Sequence, residues 1–193
     1  MEIKQVEQWL SLFTEKINQN KVYLSDLDSA IGDGDHGNNM ARGTGEMLKA
    51  IEGQEVANLG DLFKLVGMTL ISKVGGASGP LYGSAFISMS QAAQSSTELL
   101  PILTAGLAGI QKRGKAEVGD KTMVDMWAGV IKALEEGDLT SEKIEAIGES
   151  TKDIQARKGR ASYLGERSIG HLDPGTISSG YLFEGMLEAG VTA

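Results

Sequence analysis

Apolar residues recur at helical spacing along almost the whole chain, and that period leaves little room for a sheet. Val6, Trp9, Leu10, Phe13 and Ile17 fall at i, i+3, i+4, i+7 and i+11, a single stripe along one helix. Leu62, Leu65, Val66, Thr69 and Leu70 repeat the pattern after Asn58-x-x-Asp61, a variant of the capping box. Trp127, Val130, Ile131 and Leu134 make a further stripe. Asp173-Pro174 reads as a helix start, because Asp caps and Pro at the first helical position has no N–H to leave unpaired. Alternating apolar runs flanked by tight-turn pairs are not evident. The spacing predicts an all-α chain with helices near 2–18, 20–30, 38–52, 59–73, 80–95, 99–113, 123–136, 141–157 and 174–189.

At 193 residues the chain reads as one domain, 1–193, with enough length for a substantial core. It has no Cys, so neither a disulfide framework nor a thiolate metal site is available. No apolar run approaches the roughly 18 residues of a membrane span, and Met1 to Asn20 lacks a signal-peptide core. A cytoplasmic protein with no membrane partner is the expectation. The formal net charge of −8 argues against nucleic acid as a partner, since that needs a basic surface. Any anionic ligand must then be held locally, by metal ions, helix N-termini or a few placed cations.

Such a local device stands between the first predicted helices. Asp28, Asp33 and Asp35 fall within eight residues, among glycines that let the chain fold back, and His36-Gly37-Asn38-Asn39 follows at once. Carboxylates so dense repel one another unless a cation lies between them, and hard oxygen ligands suit Mg²⁺. A polar helix start beside them favours phosphate. Gly32-x-Gly34-x-x-Gly37 matches the dinucleotide fingerprint by letter, but no hydrophobic strand precedes it. An EF-hand also fails, because twelve-residue numbering from Asp33 ends at Thr44, not Glu.

Gly75-Gly76-Ala77-Ser78-Gly79 spends three glycines in five residues. Backbone amides at such a turn can cradle phosphate with the Ser78 hydroxyl as a further donor, and Ser78 can equally cap the following helix. Gly109-x4-Gly114-Lys115-Ala116 is not a P-loop, because Ala116 stands where a hydroxyl must reach Mg²⁺. Read from the residues alone, Gly114 fits a helix C-cap. Arg160 belongs to the densest cationic cluster, Ala156-Arg157-Lys158-Gly159-Arg160, either as a planar fork for phosphate or as part of a solvated helix end. Met123 suits a base pocket or the core.

Taken together these segments resemble the L subunit of dihydroxyacetone kinases. The residues that carry the resemblance are Asp28-x4-Asp33-x-Asp35-His36-Gly37-x-Asn39, then Gly75 to Gly83, then Lys158-Gly159-Arg160-Ala161-Ser162-Tyr163-Leu164-Gly165 running on to Gly170-His171-Leu172-Asp173-Pro174-Gly175. Order and spacing agree over nearly the whole chain. The resemblance implies an antiparallel eight-helix barrel with a nucleotide held by loops at one end. It implies metal ligation by Asp28, Asp33 and Asp35, with one or two Mg²⁺, two in our reading. Nucleotide contacts would fall to His36, Gly37, Asn38 and Asn39; to Ala77 and Ser78; to Gly114 and Met123; and to Arg160, Asp173, Pro174 and Gly175. His171 would support its loop, and no side chain is expected to act as a nucleophile.

The L region alone looks like the phosphotransferase-system type. In that type ADP stays bound, becomes ATP by accepting a phosphoryl group from the phosphohistidine M subunit, and passes the group to dihydroxyacetone on the K subunit. Two other readings stay open at this point: a free-standing L-type kinase domain that exchanges ATP, and a nucleotide-bound partner of a transcription regulator.

Overall fold

Two indole rings mark how the chain closes on itself. Trp9 near the N-terminus is fully buried, and its Nε1–H donates to the Leu182 carbonyl at 2.7 Å, across 173 residues of sequence. Trp127 packs edge-on against Phe183, with centroids 5.1 Å apart at 76°. The computed structural model describes residues 1–192 and contains eight α-helices among them. These are α1 (Ile3–Ile31), α2 (His36–Glu52), α3 (Leu59–Lys73), α4 (Ser78–Ala93), α5 (Leu99–Gly114), α6 (Met123–Glu136), α7 (Ser141–Ser150) and α8 (Pro174–Glu188). A 3₁₀ segment, Arg160–Ser168, lies between α7 and α8 and is broken at Gly165, where φ is 58°. No strand occurs among the described residues.

The helices pack in chain order, each on the next, and α8 returns to pack on α1. Helix α8 packs on α6 as well, so the order is cyclic with a cross-contact. Of the predicted stripes, Val6, Trp9, Leu10, Phe13 and Ile17 from α1, Leu62, Val66 and Leu70 from α3, and Trp127, Val130 and Ile131 from α6 are buried, while Leu65, Thr69 and Leu134 are half-buried. The Trp9 bond gives this closure a measurable weight. Trp9→Phe removes this second bond to the Leu182 carbonyl and leaves a gap where the larger indole packed, so it is expected to cost about 1–3 kcal/mol. A lower urea midpoint at unchanged m-value is the expected reading.

Two predicted boundaries are corrected. The helices placed at 2–18 and 20–30 are one, α1, running through Asn18-Gln19-Asn20. Ile17 and Leu24, one heptad apart on either side of that run, are both buried, so the core-facing stripe carries the helix through it. The helix placed at 141–157 stops at Ser150. Beyond it the Lys152 and Ile154 carbonyls accept from the Lys121 ammonium at 3.0 Å each, which holds them out of helical geometry.

No helix of the described residues is long and apolar enough to cross a membrane. The α1–α2 junction is set by Gly37, which packs directly on the Lys21 carbonyl; a methyl there would collide with backbone. This close approach brings the last turn of α1, with Asp28, beside the first turn of α2.

Candidate functional site

Asp28 leaves the last turn of α1 and reaches across to the start of α2. Its Oδ2 accepts from the Asp35 N–H at 2.9 Å and the His36 N–H at 3.2 Å, satisfying two first-turn amides of that helix. Asp33 and Asp35 flank it, and one oxygen from each of the three carboxylates lies within 4.8 Å of the others. Burial raises the Asp28 carboxyl above its usual range, and the Asp33 and Asp35 charges add to this against the two backbone hydrogen bonds. A cation would relieve that repulsion, and an all-oxygen donor set matches Mg²⁺.

The triad opens onto a cavity of about 450 Å³, whose wall takes in every predicted site residue except Gly37 and Asn38. Gly37 is occupied in helix packing, and Asn38 is exposed on the outside of α2. Asn39 is buried, accepts from Arg42 at 2.9 Å, and braces the loop before α4. A methyl on Gly75 would stand 2.7 Å from its Oδ1, and Gly76 adopts φ of 65°, so the loop turns tightly against Asn39.

Ser78 does not cap α4. Ala77 holds the N-cap position, and the Ser78 hydroxyl instead meets Nδ1 of His36 at 3.1 Å. His36 is buried with its other nitrogen 2.9 Å from the Ser178 hydroxyl. Burial lowers its pKa to about 4, so the ring is neutral near pH 7. Gly114 ends α5 on the cavity wall, while the left-handed cap that follows belongs to Lys115, with φ of 55°. The C-cap reading of Gly114 is therefore corrected. Met123 opens α6 beside Thr122, whose side chain caps the helix by accepting from Val124 at 3.2 Å.

Arg160 sits at the mouth, two-thirds exposed, with Nη1 2.6 Å from Asp33 Oδ2. Lys158 and Arg113 also line the cavity. Lys121, which sequence reasoning passed over, holds the loop that carries Arg160. It is fully buried and donates to the Lys152, Ile154 and Ser168 carbonyls at 3.0, 3.0 and 2.8 Å. Its loop setting gives no sign of that burial. His171 faces outward, away from the cavity, and its amide donates to the Ser168 carbonyl at 3.4 Å.

The cavity wall also takes in Asp173, which caps α8 by accepting from the Thr176 N–H at 2.7 Å, with Pro174 in the first turn as predicted. Burial pushes the Asp173 carboxyl up to about 6 despite that bond. Because the folded value lies above the unfolded value of about 4, ionisation opposes folding. The resulting penalty is absent below about pH 4 and builds up as pH rises toward about 6. Asp173→Asn keeps a capping oxygen and removes the charge. The variant is expected to melt higher than the parent at pH 8, with the gap closing at pH 4.

Three loops far apart in sequence thus face one cavity, carboxylates on one side and a guanidinium at the mouth. Residues 30–188 match the family model described as the DAK2 domain. The chain belongs to the DAK2 domain family. It is 57% identical over 188 residues, 95% of each chain, to a Listeria innocua protein named PEP-dependent dihydroxyacetone kinase 1, ADP-binding subunit DhaL. It is 56% identical over 181 residues, 94% of each chain, to the Lactococcus lactis PTS-dependent dihydroxyacetone kinase, ADP-binding subunit DhaL. The fold matches the crystal structure of the dihydroxyacetone kinase from C. freundii in complex with AMP-PNP and Mg²⁺, with TM-score 0.78 and 25% identity. This DAK2 chain is covered over 97% of its length by that match and corresponds to 34% of the longer enzyme.

Proposed function

We propose that this chain is the ADP-binding subunit of a phosphotransferase-system-dependent dihydroxyacetone kinase. It carries a nucleoside diphosphate that is phosphorylated in place by a phosphohistidine M subunit and hands the group to dihydroxyacetone on a K subunit. The observation that carries this reading is the convergence of the carboxylate triad, the Gly75–Ser78 turn, Arg160 and Asp173–Gly175 on one cavity. Near full-length similarity to chains named as ADP-binding subunits supports the same role. A cytoplasmic location and two Mg²⁺ belong to the reading.

Asp28, Asp33 and Asp35 would hold the metal, which when bound neutralises charge on the phosphate oxygens. The chain's own contribution is positioning. The turn before α4 supplies backbone amides, the Arg160 fork reaches phosphate oxygens from the mouth, and Asp173 faces the sugar side. Met123, Leu81 and Ile110 give the cavity an apolar wall for a base. Phosphoryl transfer needs little covalent help beyond such a clamp.

The test is reconstitution. The chain alone with ATP and dihydroxyacetone should form negligible product, and addition of a K subunit should give a stoichiometric burst of dihydroxyacetone phosphate. Adding the phosphorylated M subunit should then sustain turnover. Robust transfer by this chain alone would contradict the subunit role.

A further inference from the structure

Behind the cavity wall, four hydroxyls and one imidazole lie in hydrogen-bond contact. Tyr82 of α4 is fully buried, its phenolic oxygen 2.9 Å from Ser179 Oγ and 2.8 Å from Ser178 Oγ. Ser178 Oγ is 2.9 Å from His36 Nε2, and His36 Nδ1 is 3.1 Å from Ser78 Oγ at the cavity wall. Each hydroxyl has one proton to give, and a neutral imidazole has one. The protons therefore run in one of two directions.

Directed inward, Ser78 donates to Nδ1 and Nε2–H donates to Ser178, whose own proton goes to the Gly175 carbonyl at 3.2 Å. Ser78 then turns only lone pairs toward the cavity. Directed outward, Ser179 donates to Tyr82, Tyr82 to Ser178, and Ser178 to Nε2 at the shorter 2.9 Å. The Nδ1–H then donates to Ser78, which leaves the Ser78 proton free. An anion in the cavity repels lone pairs and takes a proton, and aligned hydrogen bonds polarise one another in that direction. We propose that Tyr82, Ser178 and Ser179 are positioning residues that hold His36 as the Nδ1–H tautomer and thereby aim the Ser78 hydroxyl at the phosphate of bound nucleotide. This rests on the nucleotide reading given above.

The tautomer is directly observable, because His36 and His171 are the only histidines. Protein labelled with ¹⁵N-histidine is stripped of nucleotide with EDTA and titrated with Mg·ADP, with His171→Asn used to assign the signals. The expected spectrum of the complex has a protonated Nδ1 and a bare Nε2 on His36. Tyr82→Phe should shift that ring toward the Nε2–H form and weaken ADP binding about three- to tenfold. Ser78→Ala added to Tyr82→Phe should cost little more, since both act on one proton. An Nε2–H or doubly protonated His36 in the wild-type complex would overturn the proposal, as would fully additive losses in the double variant. Wild-type protein that, once stripped with EDTA and returned to Mg²⁺, bound no Mg·ADP by calorimetry would instead sink the nucleotide reading on which it rests, so the two failures are told apart.

Discussion

Asp33→Asn is expected to weaken Mg²⁺-dependent ADP binding by at least about 100-fold and to abolish transfer in the reconstituted system. Loss of a group that merely supports a metal ligand costs about 10–100-fold, and Asp33 is placed as a ligand itself. The substitution is clean because Asn keeps the size, and the one side chain paired with Asp33 is Arg160 at 2.6 Å. That pair is half-exposed and contributes little to stability. With nucleotide stripped from both by EDTA, the variant should therefore melt with the parent, separating a ligand effect from a folding effect. Asp28→Asn is less informative, since Asp28 also satisfies the Asp35 and His36 amides at the start of α2. Calorimetry in Mg²⁺ buffer decides the matter. Parental affinity in Asp33→Asn would remove Asp33 from the metal site.

Arg160→Gln should have the second-largest effect, and on a different parameter. A guanidinium aimed at charge that develops during transfer acts mainly on the rate, by about 10²–10³-fold. ADP held by metal and backbone should be retained far better than that. Arg160→Lys should recover little, because an ammonium lacks the planar two-pronged fork that matches phosphate oxygens. Transfer rates with a K subunit, set beside ADP dissociation constants, separate the two quantities. Equal losses in both would make Arg160 a simple binding residue. No loss in either would return it to the solvated helix end that its cationic neighbours also allow.

The acidic turn was readable because its chemistry is local: three carboxylates and their glycines within eight residues have few other uses. The same holds for Asp173-Pro174, where cap and first turn are adjacent. Helical stripes identified the core, since burial of one face enforces the period wherever a helix packs. What escaped depends on long-range partners. Ser78 reads as a cap until His36, 42 residues away, claims its hydroxyl. The Ser178 contact to His36 spans 142 residues, and its contact to Tyr82 spans 96. Neither serine carries a local sign of either. Lys121 carries no local sign of its role, yet the chain folds three carbonyls around it. Asn18-Gln19-Asn20 reads as a break, yet burial of Ile17 and Leu24 on either side carries the helix through it.

Whether nucleotide resides on this chain is the measurement that reaches the central claim most directly. A ligand tied by metal and by several loops at once escapes slowly, and residence is what allows ADP to be recharged in place. The protein is purified without added nucleotide, gel-filtered in Mg²⁺ buffer, denatured, and the released nucleotide is quantified. Near-stoichiometric ADP is predicted. It should be lost on chelation with EDTA together with several degrees of melting temperature, because bound ligand stabilises the native state by mass action. Protein that emerges free of nucleotide and exchanges ATP rapidly would contradict the resident-ADP account and favour a free-standing kinase domain.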